Sequence, residues 1–408
     1  MITRDDALAL DAADPLAFAR ARFALPPGVI YLDGNSLGAL PRRTAARVAD
    51  TVTREWGERL IGSWNDAGAG NGGWIEAPAR VGAKIARLIG AGGDEVIVTD
   101  SVSVNVFKLA AAALAMNPRR RAIVTESGNF PTDVYMLEGL CRLTGATLRV
   151  AADPLAALDD DTALLLLTQT HYRSGAVRDL AATAAAAHAA GALMCWDLSH
   201  STGALDVDLT AANADMAVGC GYKFLNGGPG APAFAYVARR HHDALDQPLT
   251  GWMGHAAPFA FEGSYRPGGG MARMLAGTPG MLGMAALASG VATFDGVDMA
   301  AAHAKSTALG DLLLDLVAER CPGIDIACPR TARGAQVSLS HEHAYEICQA
   351  LIERGVVGDF RPPDVVRFGL PALYTRFVDV WDAVDALAGI VAHQAWRAAR
   401  FTVRRAVT

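Results

Sequence analysis

Between Glu95 and about Ala238, short β-type runs alternate with helical ones, and this alternation constrains the fold more than any other feature. EVIVT (95–99) precedes a helical pattern over 104–116, and AIVTE (122–126) precedes one over 133–143. TLRVA (147–151) and the very apolar ALLLLTQ (163–169) follow, then an alanine-rich helix over 179–190, ALMCWDLS (192–199) and ADMAVGCG (214–221). Strands that are apolar on both faces and separated by helices predict a mainly parallel sheet covered on both sides. The large domain is therefore expected to be α/β, over 46–290. After Gly296 the pattern changes to an amphipathic helix over 300–319, IDIAC, AQVSLS, a helix over 343–354, VVGDF and VVRFG. That order suits a smaller α+β domain, 291–408. Residues 1–45 read as an arm and a loop, and a length of 408 residues suits two domains.

Charge narrows the function. With 36 basic and 42 acidic side chains and no block of like charge, the chain has no electrostatic footprint for nucleic acid or an anionic membrane. Small-molecule chemistry is the expectation. Asp5, Asp6, Asp11 and Asp14 occupy the place where a secretion signal needs a basic start and an apolar run. The uncharged stretch 278–294 is too short to span a bilayer and reads as a buried helix. The six cysteines lack metal-type pair spacing, so no metal site is expected, and they read as buried reduced thiols. The cytoplasm is the expected compartment.

The chemistry concentrates in GCGYKFLNGGPG (219–230), where Lys223 follows an apolar strand and precedes a glycine-rich loop. Lysine is rarely buried without a task, and desolvation or a neighbouring cation would bring its amine toward the form that attacks an aldehyde. A surface lysine in a turn is the other reading of this segment alone. Upstream, Asp197 ends a strand that otherwise reads as buried, and a buried carboxylate needs a positive partner. A protonated pyridine nitrogen is one such partner, with His200 placed to bond the cofactor or the carboxylate. A lone aspartate at a strand end is also a common turn or cap residue.

In TDSVSVNVFKLAAAAL (99–114) a hydroxyl-rich turn opens directly into a helix, which presents free N–H groups to a phosphate near Val102 and Ser103. Ser103 as a plain helix cap is the simpler alternative. In SGNFPTD (127–133), Phe130 precedes a proline-started helix where its ring could lie against a pyridine, and Asp133 could receive a hydrogen bond from the cofactor side. A hydrophobic staple explains Phe130 equally well.

Taken in order, LDGNSLGALP (32–41), LIGSWN (60–65), FPTD (130–133), DLSHSTG (197–203), YKFLNGGPG (222–230) and GWMGH (251–255) resemble fold-type I pyridoxal-phosphate (PLP) enzymes of the class V aminotransferase group, and kynureninases in particular. The resemblance covers nearly the whole chain, and YLDGNSLG with GWMGH carries more of its specificity than the lysine motif. It implies that Lys223 holds PLP, Asp197 pairs its ring nitrogen, Phe130 stacks on the ring, and Asp133, Thr168 and His200 border it. Val102, Ser103 and Tyr222 would bind the phosphate, joined by Trp252 and Thr278 from a second subunit, which makes a homodimer with shared sites. Some relatives carry asparagine where Thr278 stands, so that match is one of position and hydrogen-bonding capacity. Arg367 would clamp the substrate α-carboxylate, a task suited to a forked guanidinium, although a surface ion pair is its reading without the family. Trp64 and Asn35 are candidate substrate contacts, with a core role for Trp64 the alternative.

The implied activity is hydrolysis of the Cβ–Cγ bond of L-kynurenine, or of 3-hydroxykynurenine, to anthranilate or 3-hydroxyanthranilate and L-alanine, in tryptophan catabolism and NAD biosynthesis. Tyr222 beside Lys223 is the expected proton relay. A cysteine desulfurase of the same group is the competing reading, with Cys321 and Cys328 as its nucleophile candidates by position.

Overall fold

The computed structural model describes residues 2–405. The central sheet contains β2 (Val96–Val98), β3 (Ala122–Glu126), β4 (Thr147–Ala151), β5 (Thr162–Thr168), β6 (Leu193–Asp197), β7 (Met216–Gly219) and β8 (Phe234–Val237), following the short β1 (Ile30–Tyr31). Its order is β2-β8-β7-β6-β5-β3-β4. Six strands run parallel, and β8 is antiparallel to both neighbours. Period-two alternation sends the two sets of side chains into two cores. Val124, Leu165, Leu167, Met194 and Trp196 pack on one face, and Ile123, Leu164, Leu166, Cys195 and Val218 on the other. The expected parallel α/β layer is thus present, because both faces of each central strand are apolar.

Helices α1 (Arg4–Ala12), α2 (Thr44–Asp50) and α3 (Ala77–Ala86) precede the sheet; α4 (Val102–Met116), α5 (Pro131–Thr144) and α6 (Leu180–Ala189) lie between its strands; and α7 (Met281–Val291) follows it. Side chains of α4 and α5 fill one core, and those of α3, α6 and α7 fill the other. The uncharged 278–294 stretch supplies α7, which buries Met284, Leu287 and Val291.

The smaller lobe contains α8 (Met299–Arg320), β9 (Asp325–Ile326), β10 (Gln336–Ser340), α9 (Ala344–Glu353), β11 (Val356–Val357), β12 (Asp359–Arg361), β13 (Val365–Gly369) and α10 (Phe377–Ala392). Strands β12-β13-β10-β9 form one antiparallel sheet, and β11 pairs in parallel with β1. The segment read as an arm and loop meets both lobes: Ala7 and Leu32 are buried in the core of this one, whereas Ala19, Phe23 and Ala39 pack in a core of the large domain. Arg4 of α1 pairs with Asp382 at 2.7 Å, and Asp14 pairs with buried Lys305 at 2.6 Å. Asp11 accepts the free N–H groups of Phe377 and Val378 at the start of α10, as a carboxylate at a helix N-terminus should. No helix among the described residues is long and apolar enough to cross a membrane.

Candidate active site

The site forms where parallel strands end, the edge at which loops of an open α/β sheet gather ligands. Thr168 ends β5, Asp197 ends β6, and the two are register partners. Lys223 lies just beyond β7, and Asp133 in the first turn of α5. Together with Val102, Ser103, Phe130, His200 and Tyr222 they line one cavity, in which Lys223 is the only lysine or arginine among the described residues.

Lys223 Nζ lies 3.0 Å from His200 Nε2, 5.8 Å from the Tyr222 ring centre and 6.0 Å from that of Phe130. Burial, with help from Lys223, Arg367 and Arg361, lowers His200 well below its usual range, which favours an unprotonated ring beside Lys223 Nζ. His200 Nδ1 is buried without a partner. Asp197 Oδ1 accepts from the Ser199 N–H at 2.7 Å, and among the described residues no cationic side chain pairs with it. Burial, and next the charge of Asp197, push Asp133 well above the carboxylate range, and Asp133 Oδ2 is unpartnered. Tyr222 is raised by burial and by Cys220 and Asp197.

Local sequence explains these placements. Asp100, at φ +46°, turns the chain toward α4 and is held by Lys108 at 2.5 Å. Ser101 caps the helix, not Ser103, leaving Val102 and Ser103 in its first turn with N–H groups free of helical partners. Asn129 takes the Thr168 hydroxyl at 2.6 Å and the Phe130 N–H at 2.7 Å on one oxygen, which fixes two site residues at once. Lys108 and Asn129 escaped the sequence reading, although both lie inside motifs it used. Tyr172 also escaped: it lines the cavity, and its ring meets Phe130 edge-on at 5.3 Å.

Five expected residues, Trp252, Thr278, Trp64, Asn35 and Arg367, do not line this cavity. Trp252 and Thr278 line separate clefts. Trp64 packs edge-on against Trp74 at 5.7 Å. Asn35 is fully buried against Gly369, with both amide atoms unpartnered. Arg367 forms a buried pair with Asp359, and so is not a surface ion pair. Its Nε reaches Asp359 Oδ1 at 3.0 Å, and the Tyr172 carbonyl accepts from its other arm.

A kynureninase of Burkholderia mallei (strain SAVP1) is 51% identical over 421 aligned residues, spanning 100% of each chain. The chain belongs to the kynureninase family. A kynureninase of Pseudomonas fluorescens is 48% identical over the same extent, and the model of the kynureninase C-terminal domain matches residues 302–387. Solved structures share the fold of this kynureninase family member at lower identity. A cysteine desulfurase from Escherichia coli has a TM-score of 0.78 at 19% identity over 93% of this chain and 98% of that one. A C-DES variant with glycine linked to its PLP cofactor has a TM-score of 0.76 at 16% identity over 90% and 98%. The desulfurase reading has no further support: Cys321 is buried and raised to about 11, Cys328 is raised as well, and neither lines the cavity.

The cavity fits PLP chemically. An amine stands ready for an aldehyde, an unpaired buried carboxylate awaits a protonated ring nitrogen, and a helix N-terminus awaits a phosphate. Two buried groups, Asp133 Oδ2 and His200 Nδ1, lack partners that a polar ligand would supply.

Proposed function

We propose that this protein uses PLP to hydrolyse the Cβ–Cγ bond of L-kynurenine, consuming one water and releasing anthranilate and L-alanine. Full-length identity of about half to named kynureninases carries the reading. Bound in the cavity, PLP supplies an aldehyde that captures the substrate amine and a ring that accepts electrons.

The protein's own groups do the rest. Lys223 would hold the cofactor and serves as the group that moves the proton at the substrate Cα. Asp197 keeps the ring nitrogen protonated, Phe130 covers the ring, and Asp133, Thr168 and His200 border it. The first turn of α4, with Val102 and Ser103, and Tyr222 receive the phosphate. Arg367 binds the α-carboxylate, with Trp64 and Asn35 on the substrate side. Water adds at the γ-carbonyl, and Tyr222 delivers the proton to Cβ as the bond breaks. Both kynurenine and its 3-hydroxy form are substrates in this reading, in tryptophan catabolism in the cytoplasm.

The working unit is a homodimer in which Trp252 and Thr278 complete the partner's site. Exposed Trp252, Phe259 and Phe261, whose rings meet at 5.6 and 6.5 Å, support this, since contiguous exposed apolar side chains mark contact surfaces. The test is a visible spectrum of the purified protein, then anthranilate fluorescence on adding L-kynurenine, in wild type, Lys223→Ala and Tyr222→Phe. The expected result is a cofactor band and anthranilate in wild type, both lost in Lys223→Ala, with slowed turnover in Tyr222→Phe. A band without anthranilate overturns the substrate, no band after PLP addition overturns the whole reading, and full turnover in Tyr222→Phe removes that residue as relay.

A further inference from the structure

Asp359, 1% exposed, is shared by two guanidinium groups. Arg367 donates to it from Nε and Nη2, the latter at 2.5 Å, and Arg361 Nη2 reaches Oδ2 at 2.7 Å. Ser36 Oγ joins the cluster, donating to Asp359 at 2.6 Å and accepting from Arg367 at 2.9 Å and Arg361 at 3.2 Å. Two cations on one carboxylate leave positive charge that burial makes costly unless an anion arrives. Asp33 is the other carboxyl acting on the cluster. Burial and Asp359 push it up to about 7, so at neutral pH it balances the excess only in part.

Donor accounting separates the two arginines. A guanidinium has five N–H donors. Arg367, whose side chain is 1% exposed, spends them on Asp359, Ser36 and the Tyr172 carbonyl, leaving one. Arg361, whose side chain is 32% exposed, forms an ion pair with Asp359 and donates from Nη2 to Ser36 and from Nη1 to the Phe360 carbonyl. Its Nε and second Nη1 donor remain free. The cluster borders the cavity, since Tyr172 belongs to the cavity wall and His200 feels both arginines.

We propose that Arg361 contacts the substrate α-carboxylate alongside Arg367, in a two-guanidinium clamp aligned by Asp359 and Ser36. This rests on the reading of Arg367 as the carboxylate-binding residue. Arg367 supplies the buried, prealigned charge, and Arg361 the accessible donors. A single anion between two arginines satisfies the excess charge, and uncharged analogues are refused because they leave it unbalanced.

The test compares acid with amide in the PLP-loaded enzyme. Values of kcat/KM are measured for L-kynurenine and its α-carboxamide, and dissociation constants for L-alanine and L-alaninamide from the cofactor's visible band. Arg361→Gln is expected to weaken the two acids roughly ten- to hundred-fold, as loss of a charge-assisted bond does, and to leave the two amides nearly unchanged. An equal loss for acids and amides overturns the proposal and makes Arg361 a scaffold for Asp359. Arg367→Gln separates the two levels of the argument. If it erases acid–amide discrimination while Arg361→Gln preserves it, the carboxylate site stands and the role of Arg361 falls; if neither variant changes it, the underlying reading fails too. Should Arg361→Gln not fold, Arg361→Lys keeps the charge without the fork, and unchanged discrimination there also overturns the proposal.

Discussion

Asp33 lies in the turn that also carries Ser36, and burial with the neighbouring charge of Asp359 pushes its carboxyl up to about 7. The folded state therefore binds more protons than the unfolded chain between about pH 4 and 7, and the Asp33 contribution to stability falls as pH rises through that window. Asp33→Asn is expected to remove this slope. Urea denaturation of the cofactor-free protein near pH 5 and near pH 8 should show wild type losing ground to the variant at the higher pH, by an amount of the order of a few kcal/mol. Equal pH slopes for the two proteins would show that Asp33 ionises freely when folded. The same physics acts on His200 and Asp133 in opposite senses. Burial disfavours the charged form of each, holding the imidazole unprotonated and the carboxyl protonated.

At the scale of elements, the loop that follows β1 joins the two lobes by close backbone approach. Gly38 donates its N–H to the Tyr222 carbonyl at 2.8 Å, and a Cβ there would stand 2.3 Å from the Lys223 carbonyl and 2.5 Å from Asn226 Oδ1. Gly34 meets Tyr374 and Pro371 as tightly. Gly38→Ala must push the lysine loop away, at a cost of about 1–3 kcal/mol. The expected outcome is a lower melting temperature together with weaker retention of PLP, read from the visible band during dialysis. Unchanged cofactor affinity would mean that the lysine loop is not positioned by this contact. Gly221 and Gly227 serve the same closeness: a Cβ on Gly221 would meet the Pro232 carbonyl at 2.3 Å, and one on Gly227 the Gly221 carbonyl at 2.6 Å.

For the whole molecule, a single chain leaves Trp252 and Thr278 away from the Lys223 cavity. The proposed shared site makes this a property of assembly that mixing can measure. Trp252→Ala and Lys223→Ala proteins, each impaired alone, are unfolded together in equal amounts and refolded with PLP. Random pairing into dimers gives mixed pairs in which one site of two has both native residues, so about a quarter of wild-type activity should return. No recovery, with refolding shown by a wild-type control, would place Trp252 in its own chain's site or outside both.

The sequence alone determined the layer order and the chemical centre. Strands apolar at every position can exist only between two covering layers, and a lysine between glycines after such a strand can lie only at the strands' carboxyl edge, where Asp197 and Thr168 also end. Tertiary structure decided what local pattern cannot encode. Helix α1 and the turn after it join the small lobe because Asp11 and Asp14 find partners at Phe377 and Lys305, hundreds of residues away. The reversed direction of β8 depends on which strands flank it, since its own alternation reads the same in either direction. Lys108 on α4 looks like any helical lysine until Asp100 and the Met274 carbonyl surround it. Arg361 and Arg367 come to share one carboxylate only because antiparallel pairing sets Asp359 opposite Arg367. Charge pairing over long sequence separations is a property of three-dimensional proximity, and for that reason only the folded chain displays it.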